Sequence, residues 1–450
     1  MKSLAEKLAT CEAGDALWLS AEAGSVVASQ MAFAFGRMAV KDWQGRRVAL
    51  GNMPVIELVT ALIFLDGLAQ AILLLPNEDD AQTRASRLTQ ANIDVVVECD
   101  GLGFAKLFEL ARTAAGSNSP TCHLAKRPAP VATTWLLPTS GTTGIPKLVP
   151  HSFASLTRSM ATRRIGHEYV WGSLYSLRRF AGLQVFLQSW MCGTPLILNE
   201  EDADLTEALK RFTALGCNAL SATPSMWRKL SMHRLFDQLT LKQVTLGGEI
   251  VDQAVLDMLA KRFPAARLTH IYASTEAGVG FAVRDGKSGF PAEYLDCPPS
   301  GVAMRVDEQG HLWFCPTSDQ TLDSNSDSIG IDSGDVVEIH AARVRFLGRA
   351  NGSINVGGNK VMPEEVESVI KELPEVAFVQ VRARKSAMLG NLVEAAITPV
   401  PDTVFDSALK KKVTTHCRAR LDGFKVPAFI VAATEFSLTA SGKLSRVSVE

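Results

Sequence analysis

Thr139-Ser140-Gly141-Thr142-Thr143-Gly144-Ile145-Pro146-Lys147 follows an apolar run at residues 134–137. Two glycines let backbone N–H groups approach an anion, the hydroxyls of Thr139, Ser140, Thr142 and Thr143 add donors, and Lys147 adds positive charge. Read alone, a Gly-Thr pair is an ordinary polar turn between a strand and a helix. Nine residues of this chemistry directly after an apolar strand read as a phosphate loop. A Walker loop is excluded, because it needs four residues between its glycine and a Gly-Lys-Ser/Thr end. Here Lys147 comes three positions after Gly144 and precedes Leu148.

Outward from this loop, short apolar runs at 47–51, 72–75, 95–97, 134–137, 195–198, 219–222 and 243–246 read as buried strands. Amphipathic segments at 57–65, 81–89, 205–215 and 253–262 read as helices between them. This alternation predicts a large α/β domain with parallel sheets covered by helices. The most membrane-like run, 55–75, carries Glu57, Asp66 and Gln70, which are costly in lipid. It reads as a buried helix and a core strand broken near Gly67, and no membrane insertion is expected. The polar stretch 318–333 reads as a surface loop. The first residues lack a basic start followed by an apolar stretch, so secretion is not indicated.

The 450 residues suffice for more than one domain, and 47% hydrophobic content fills a large core. A net charge of −1 gives no general attraction to nucleic acid or anionic membrane. The eight cysteines form no Cys-x-x-Cys pair and no zinc spacing with histidine. Reduced thiols in a cytoplasmic protein are expected.

The pattern changes near residue 348. A glycine-bearing turn region at 351–358 precedes a helix at 363–373, which starts on Pro363 beside Glu364 and Glu365. Strands at 376–382, 392–399 and 429–432 with a helix at 407–421 complete a small α+β unit. The expected organisation is residues 1–347, a hinge at 348–352, and a C-terminal domain at 353–450.

With its further motifs the chain resembles the adenylate-forming superfamily of acyl-CoA synthetases, peptide-synthetase adenylation domains and luciferases. The resemblance runs from about residue 43 to the end. Ile271-Tyr272-Ala273-Ser274-Thr275-Glu276 resembles the family's Tyr-Gly-x-Thr-Glu, and Gly247-Gly248-Glu249 its adenine-side loop. Asp332-Ser333-Gly334-Asp335 resembles its Thr-Gly-Asp. The run from Gly348-Arg349 through Asn351, Gly357 and Gly358 to Glu367 resembles its hinge and following loop. Thr439 to Arg446 resembles its C-terminal Gly-Lys motif, with Lys443 as the lysine.

The resemblance implies a fold of a large multi-sheet N-terminal α/β domain and a small mobile C-terminal α+β domain. It implies catalytic roles for Thr142, Lys147, Glu276 and Lys443. It implies nucleotide contacts from Thr139, Ser140, Gly141, Thr143, Gly144, Gly248, Glu249, Tyr272, Ala273, Thr275, Asp335 and Arg349. Tyr272 would stack on adenine, Asp335 would grip the ribose hydroxyls, and Glu276 would hold Mg2+. Asn351 stands at the pivot, and Gly357 and Gly358 would let a pantetheine arm pass. Asn355 stands where some members carry lysine, so that role is not carried over. His151 reads as structural or as support for the loop.

The acid would meet Arg179, Phe180, Gly248, Ala273 and Ser274. Arg178 and Arg179 occupy the Phe and His positions of the Phe-His-x-x-Gly found in many acyl and aryl ligases. A guanidinium there favours a polar or anionic acid if it faces the pocket; the competing reading sends one or both arginines to solvent. Ala273, in place of the usual glycine, narrows the pocket toward a small aromatic or short acyl acid.

The expected activity is ATP-dependent carboxylate activation to acyl-AMP and pyrophosphate, followed by transfer to a thiol. CoA is the favoured thiol. The alternatives are the phosphopantetheine of a separate carrier protein acting in trans, and a non-catalytic nucleotide-binding relative. The presence of Lys147, Glu276, Asp335 and Lys443 argues against the last.

Overall fold

A computed structural model of the protein describes residues 3, 4, 6, 18–21, 24–35, 37–99, 130–139, 147–160, 168–299, 302–315, 330–386 and 390–433. The chain divides into two compact units. One is Met1–Ser221 with Gln238–Gln243, and the other is Ala222–Asp237 with Val244–Glu450.

The first unit contains a five-stranded sheet in the order Val95–Val97, Arg47–Leu50, Ala71–Leu74, Thr134–Thr139, Lys147–His151. The first four strands are parallel and the last is antiparallel. The helix Val55–Leu65 is buried at every position, which explains its near-continuous apolar sequence. Pro54 precedes it and supplies no capping side chain, so both Glu200 oxygens accept from the Val55 N–H at 3.1 Å. A carboxylate here also suits the positive end of the helix dipole. Asp66, at the other end, accepts from the indole of buried Trp135 at 3.0 Å and from the Leu4 N–H at 2.8 Å. The helix Ala81–Gln90 then leads from the Ala71–Leu74 strand to the Val95–Val97 strand.

The same unit has a second group of strands. Ala219–Ala222, Trp171–Ser173, Leu196–Ile197 and Trp18–Ala21 run parallel, and Gly24–Val27 closes the edge antiparallel. The helix Phe180–Cys192 stops at Gly193, whose φ of 68° is the left-handed conformation that ends many helices.

In the second unit, the hairpin Arg267–Ser274 with Gly278–Val283 precedes an antiparallel sheet. The order of that sheet is Phe290–Pro291, Arg343–Arg349, Ile331–His340, His311–Cys315, Ala303–Val306. Phe281, Phe290, Leu312, Phe314 and Val344 fill the space between these strands. Further on, Val376–Ser386, Gly390–Pro399 and Phe429–Ala432 form a three-stranded sheet packed with the helices Pro363–Ile370 and Ser407–Arg418. Its apolar cluster draws only on residues between Ile354 and Ile430, so this part of the unit has a core of its own.

The strand–helix alternation matches the sequence reading, with shifts at the ends. The two C-terminal helices stop three residues short of their expected ends, at Ile370 and Arg418. The strand before the phosphate loop runs on to Thr139. The reading of 318–333 as a loop needs correction at its end: Ile331–His340 is a strand, in which Ile331 pairs with Phe314 and Asp332 with Trp313. Residues 316–329 lie outside the described residues. An Asp/Ser-rich sequence carries no strand signal of its own; pairing with both neighbours is what extends it.

Candidate active site

The phosphate loop joins two antiparallel strands. Thr139 pairs with Lys147 and Trp135 with His151, so the ends of the loop are held in register. A Walker loop runs into a helix; Lys147 instead opens a strand and is exposed. Ser140, Gly141, Thr142, Thr143, Gly144, Ile145 and Pro146 lie outside the described residues. Behind the loop, His151 is buried, lies 3.3 Å from the Ser155 hydroxyl and meets the ring of Phe180 at 5.7 Å.

Within the second unit, three of the expected nucleotide-binding residues come together. Asp335 and Arg349 are cross-strand partners. The Arg349 Nε donates to one Asp335 oxygen at 3.0 Å, and the Tyr272 hydroxyl donates to the other. Asp335 is buried, and its N–H is held by the Ser333 hydroxyl at 3.1 Å. Burial and the neighbouring Asp335 carboxylate push the Tyr272 phenol well up, so it stays a donor. The Tyr272 ring stacks near-parallel to Phe281, Phe314 and Phe346 at 5.3, 5.5 and 5.1 Å. These three phenylalanines were not anticipated. Their sequence context offers no signal that they meet, and it takes the packing of separate strands to gather them on one tyrosine. Gly280 is needed here, because a Cβ would sit 2.9 Å from the Phe314 ring.

Thr275 and Glu276 occupy the tip of the hairpin. Ser274 pairs with Gly278, whose φ of 73° closes the three-residue turn, and the Ser274 hydroxyl accepts from the Ala277 N–H at 3.0 Å. A register shift between Tyr272 and Ala273 re-aims the strand just before the tip. Glu276 is exposed. No group of three or more His, Cys, Asp or Glu fit to hold a metal is found among the described residues. A lone exposed carboxylate does not make a resident metal cage. It does fit Mg2+ arriving on nucleotide phosphates, since that ion keeps waters and takes only one or two carboxylates.

Gly248 has φ of 84° and turns the chain after the strand Gln243–Gly247. Glu249 turns back and accepts from the Ser225 N–H at 2.9 Å, in the first turn of the helix Pro224–Ser231. At the expected hinge, Asn351 is exposed in the short turn Ala350–Gly352, directly after Arg349. Gly357 and Gly358, with φ of 57° and 92°, form the tight turn between the strands Ile354–Val356 and Asn359–Val361. Lys443 and the motif around it lie outside the described residues.

The two arginines of the expected acid segment differ in their surroundings. Arg178 is buried, which overturns its solvent-facing reading, and its Nη1 donates to the Leu50 and Leu75 carbonyls at 3.0 and 3.2 Å. Burial lowers its pKa, opposed by Glu201 and Glu78. Arg179 is half-buried and paired with Glu78. Burial works against ionisation of Glu78, but its own backbone N–H and the Arg179 guanidinium outweigh that and hold its carboxyl below the usual range. Neither glutamate partner is visible as one in sequence, since each lies in a different loop from the arginine it serves.

Residues 60–313 match the family model of the AMP-binding enzymes, and residues 365–443 match that of the AMP-binding enzyme C-terminal domain. The chain belongs to this adenylate-forming family. It is 25% identical over 368 residues to a chloroplastic/peroxisomal 2-succinylbenzoate–CoA ligase of Arabidopsis thaliana, covering 69% of this chain and 65% of that one. It is 28% identical over 267 residues to surfactin synthase subunit 1 of Bacillus subtilis, covering 51% of this chain and 7% of that much longer one. The chain thus spans just under two thirds of the plant ligase and a small part of the synthase. Among solved structures, an anthranilate–CoA ligase with anthranoyl-AMP superposes with a TM-score of 0.77 at 18% identity, covering 98% of this chain and 95% of that one. A benzoate–CoA ligase from Burkholderia xenovorans gives 0.73 at 18%, covering 99% of both chains. These likenesses establish the fold. No described helix is long and apolar enough to cross a membrane.

Proposed function

We propose that the protein is an acid–thiol ligase that activates a carboxylic acid with ATP and transfers the acyl group to CoA. The observation that carries the reading is the convergence of Tyr272, Asp335 and Arg349 from three strands, in a chain that matches AMP-binding models on both sides of residue 348. A buried carboxylate can accept two hydroxyl hydrogen bonds, as a ribose offers. Thr139 to Lys147 would hold the phosphates, and Glu276 would hold the Mg2+ that offsets phosphate charge. The acid's carboxylate attacks the α-phosphorus, forming acyl-AMP as the bond to pyrophosphate breaks. Thiolate sulfur then attacks the acyl carbonyl and AMP leaves. Lys443 would steady the negative charge that shifts during the first step.

The acid is proposed to be small and aromatic. Ala273 restricts depth, and the similar ligases are named for 2-succinylbenzoate, anthranilate and benzoate. Likeness to peptide-synthetase modules supports a second acceptor, carrier-protein phosphopantetheine. The test is ATP–pyrophosphate exchange across a panel of acids, followed by acceptor assays with CoA and with a loaded carrier. Exchange should require an aromatic acid and transfer should favour CoA. Absence of acid-dependent exchange with every acid would leave only a non-catalytic nucleotide binder.

A further inference from the structure

In the five-stranded sheet, the chain leaves Arg47–Leu50, crosses by the helix Val55–Leu65 and returns at Ala71–Leu74 on one side. It then crosses by Ala81–Gln90 to Val95–Val97 on the other side of the first strand. Right-handed crossovers in opposite directions put these helices on opposite faces. The loops leaving the carboxyl ends of Arg47–Leu50 and Ala71–Leu74 therefore part company. Such a crevice is where open α/β sheets bind ligands. Here a side chain of the protein fills it: one Arg178 nitrogen bonds the carbonyls of Leu50 and Leu75, one from each lip.

The chain around Arg178 is fastened on all sides. The Ser176 hydroxyl accepts from the Arg178 N–H at 3.2 Å and donates to Glu201, which lies 3.6 Å from the Arg178 Nε. Arg179 is tied to Glu78 in the loop after Leu75. Gly182 presses on the turn so closely that a Cβ would fall 2.1 Å from the Ser176 carbonyl oxygen. Phe180 opens the helix Phe180–Cys192 directly after these anchors and meets His151.

Resting on the acid-activating reading above, we infer that Arg178 and Arg179 are positioning residues for the acid pocket: they pin residues 176–182 to the sheet crevice and to Glu78, and do not themselves bind the acid. Both guanidinium groups are engaged by partners within the protein, Arg178 in the interior and Arg179 at its edge, so acid selectivity follows from where Phe180 is held. A planar guanidinium can span two carbonyls while facing a carboxylate; an ammonium on a flexible stem cannot hold that geometry. Misplacement by about 1 Å costs on the order of a hundredfold in reaction rate.

Arg178→Lys should therefore raise KM for the acid about tenfold and reorder the acid panel, with KM for ATP changed less than about twofold. An unchanged acid profile with only a lower melting temperature would reduce Arg178 to a structural residue and overturn the inference. Should Arg178→Lys fold poorly, Arg179→Ala, Glu78→Gln and the double variant decide the matter. Positioning requires both single changes to shift the acid profile alike and the double to add nothing. A shift with Arg179→Ala alone would mean that Arg179 touches the acid. Amide hydrogen exchange gives a readout free of activity, and Arg178→Lys should speed exchange at 176–183 selectively. If that occurs while the wild type activates no acid, the anchoring stands and the acid-activating reading fails.

Discussion

Asp335 is the residue on which the candidate nucleotide site turns. Each of its oxygens has a protein donor, Tyr272 on one and Arg349 on the other, and it lies buried on a strand that its sequence alone does not announce. Burying a carboxylate is costly unless it is paired and hydrogen-bonded, and both conditions are met here. At the same scale stands Lys443. Lys443→Ala should slow adenylation by about 10²–10³-fold, roughly 2.7–4 kcal/mol, the cost of losing one transition-state donor. Supplied acyl-adenylate should still be converted to thioester near the wild-type rate. Equal loss in both half-reactions would remove Lys443 from the adenylation step.

At the scale of elements, the hairpin Arg267–Ser274 with Gly278–Val283 shows how local structure presents chemistry. Its two strands anchor Tyr272 among phenylalanines, while its tip exposes Glu276 beside half-buried Thr275. A tip fixed by Gly278 and the Ser274 hydroxyl can offer a carboxylate outward without burying it. Glu276→Gln keeps the shape and removes the charge a hard cation needs. Activity should fall and recover in part as Mg2+ and ATP are raised together. A folded variant that shows no recovery at any Mg2+ concentration rules out the metal role.

For the whole molecule, the question is how one site would serve the two proposed reactions. On that proposal, adenylation would need Lys443 at the α-phosphate, and thiol attack would need that space cleared. Rotation of the C-terminal part about Asn351 would meet both needs. Arg349, just before the pivot, is fixed by Asp335, and residues from Ile354 onward pack round their own core. A hinge works by changing a few backbone angles. Asn351→Pro fixes φ near about −65° and should hold one arrangement. Single-turnover kinetics should then show acyl-adenylate formed and retained, with slow transfer to the thiol. Wild-type rates in both half-reactions would move the pivot elsewhere.

The sequence by itself determined the alternation of parallel strands and helices, because the buried strands are short apolar runs and most of the helices between them carry their own period. It determined the glycine turn at Gly357 and Gly358, where backbone angle restricts the residue locally, and it marked Thr139 to Lys147 and Tyr272 to Glu276 as candidates by their chemistry. Only the tertiary structure decided what Arg178 and Arg179 do. A guanidinium reads the same in sequence whether it faces an acid, water or a carbonyl, and its partners Leu50, Leu75 and Glu78 are about a hundred residues or more away. The same holds for the Ile331–His340 strand and the phenylalanines around Tyr272. Their structure comes from pairing with other strands, and Phe314 and Phe346 reach Tyr272 from segments far along the chain, which leaves no mark in the local order of residues.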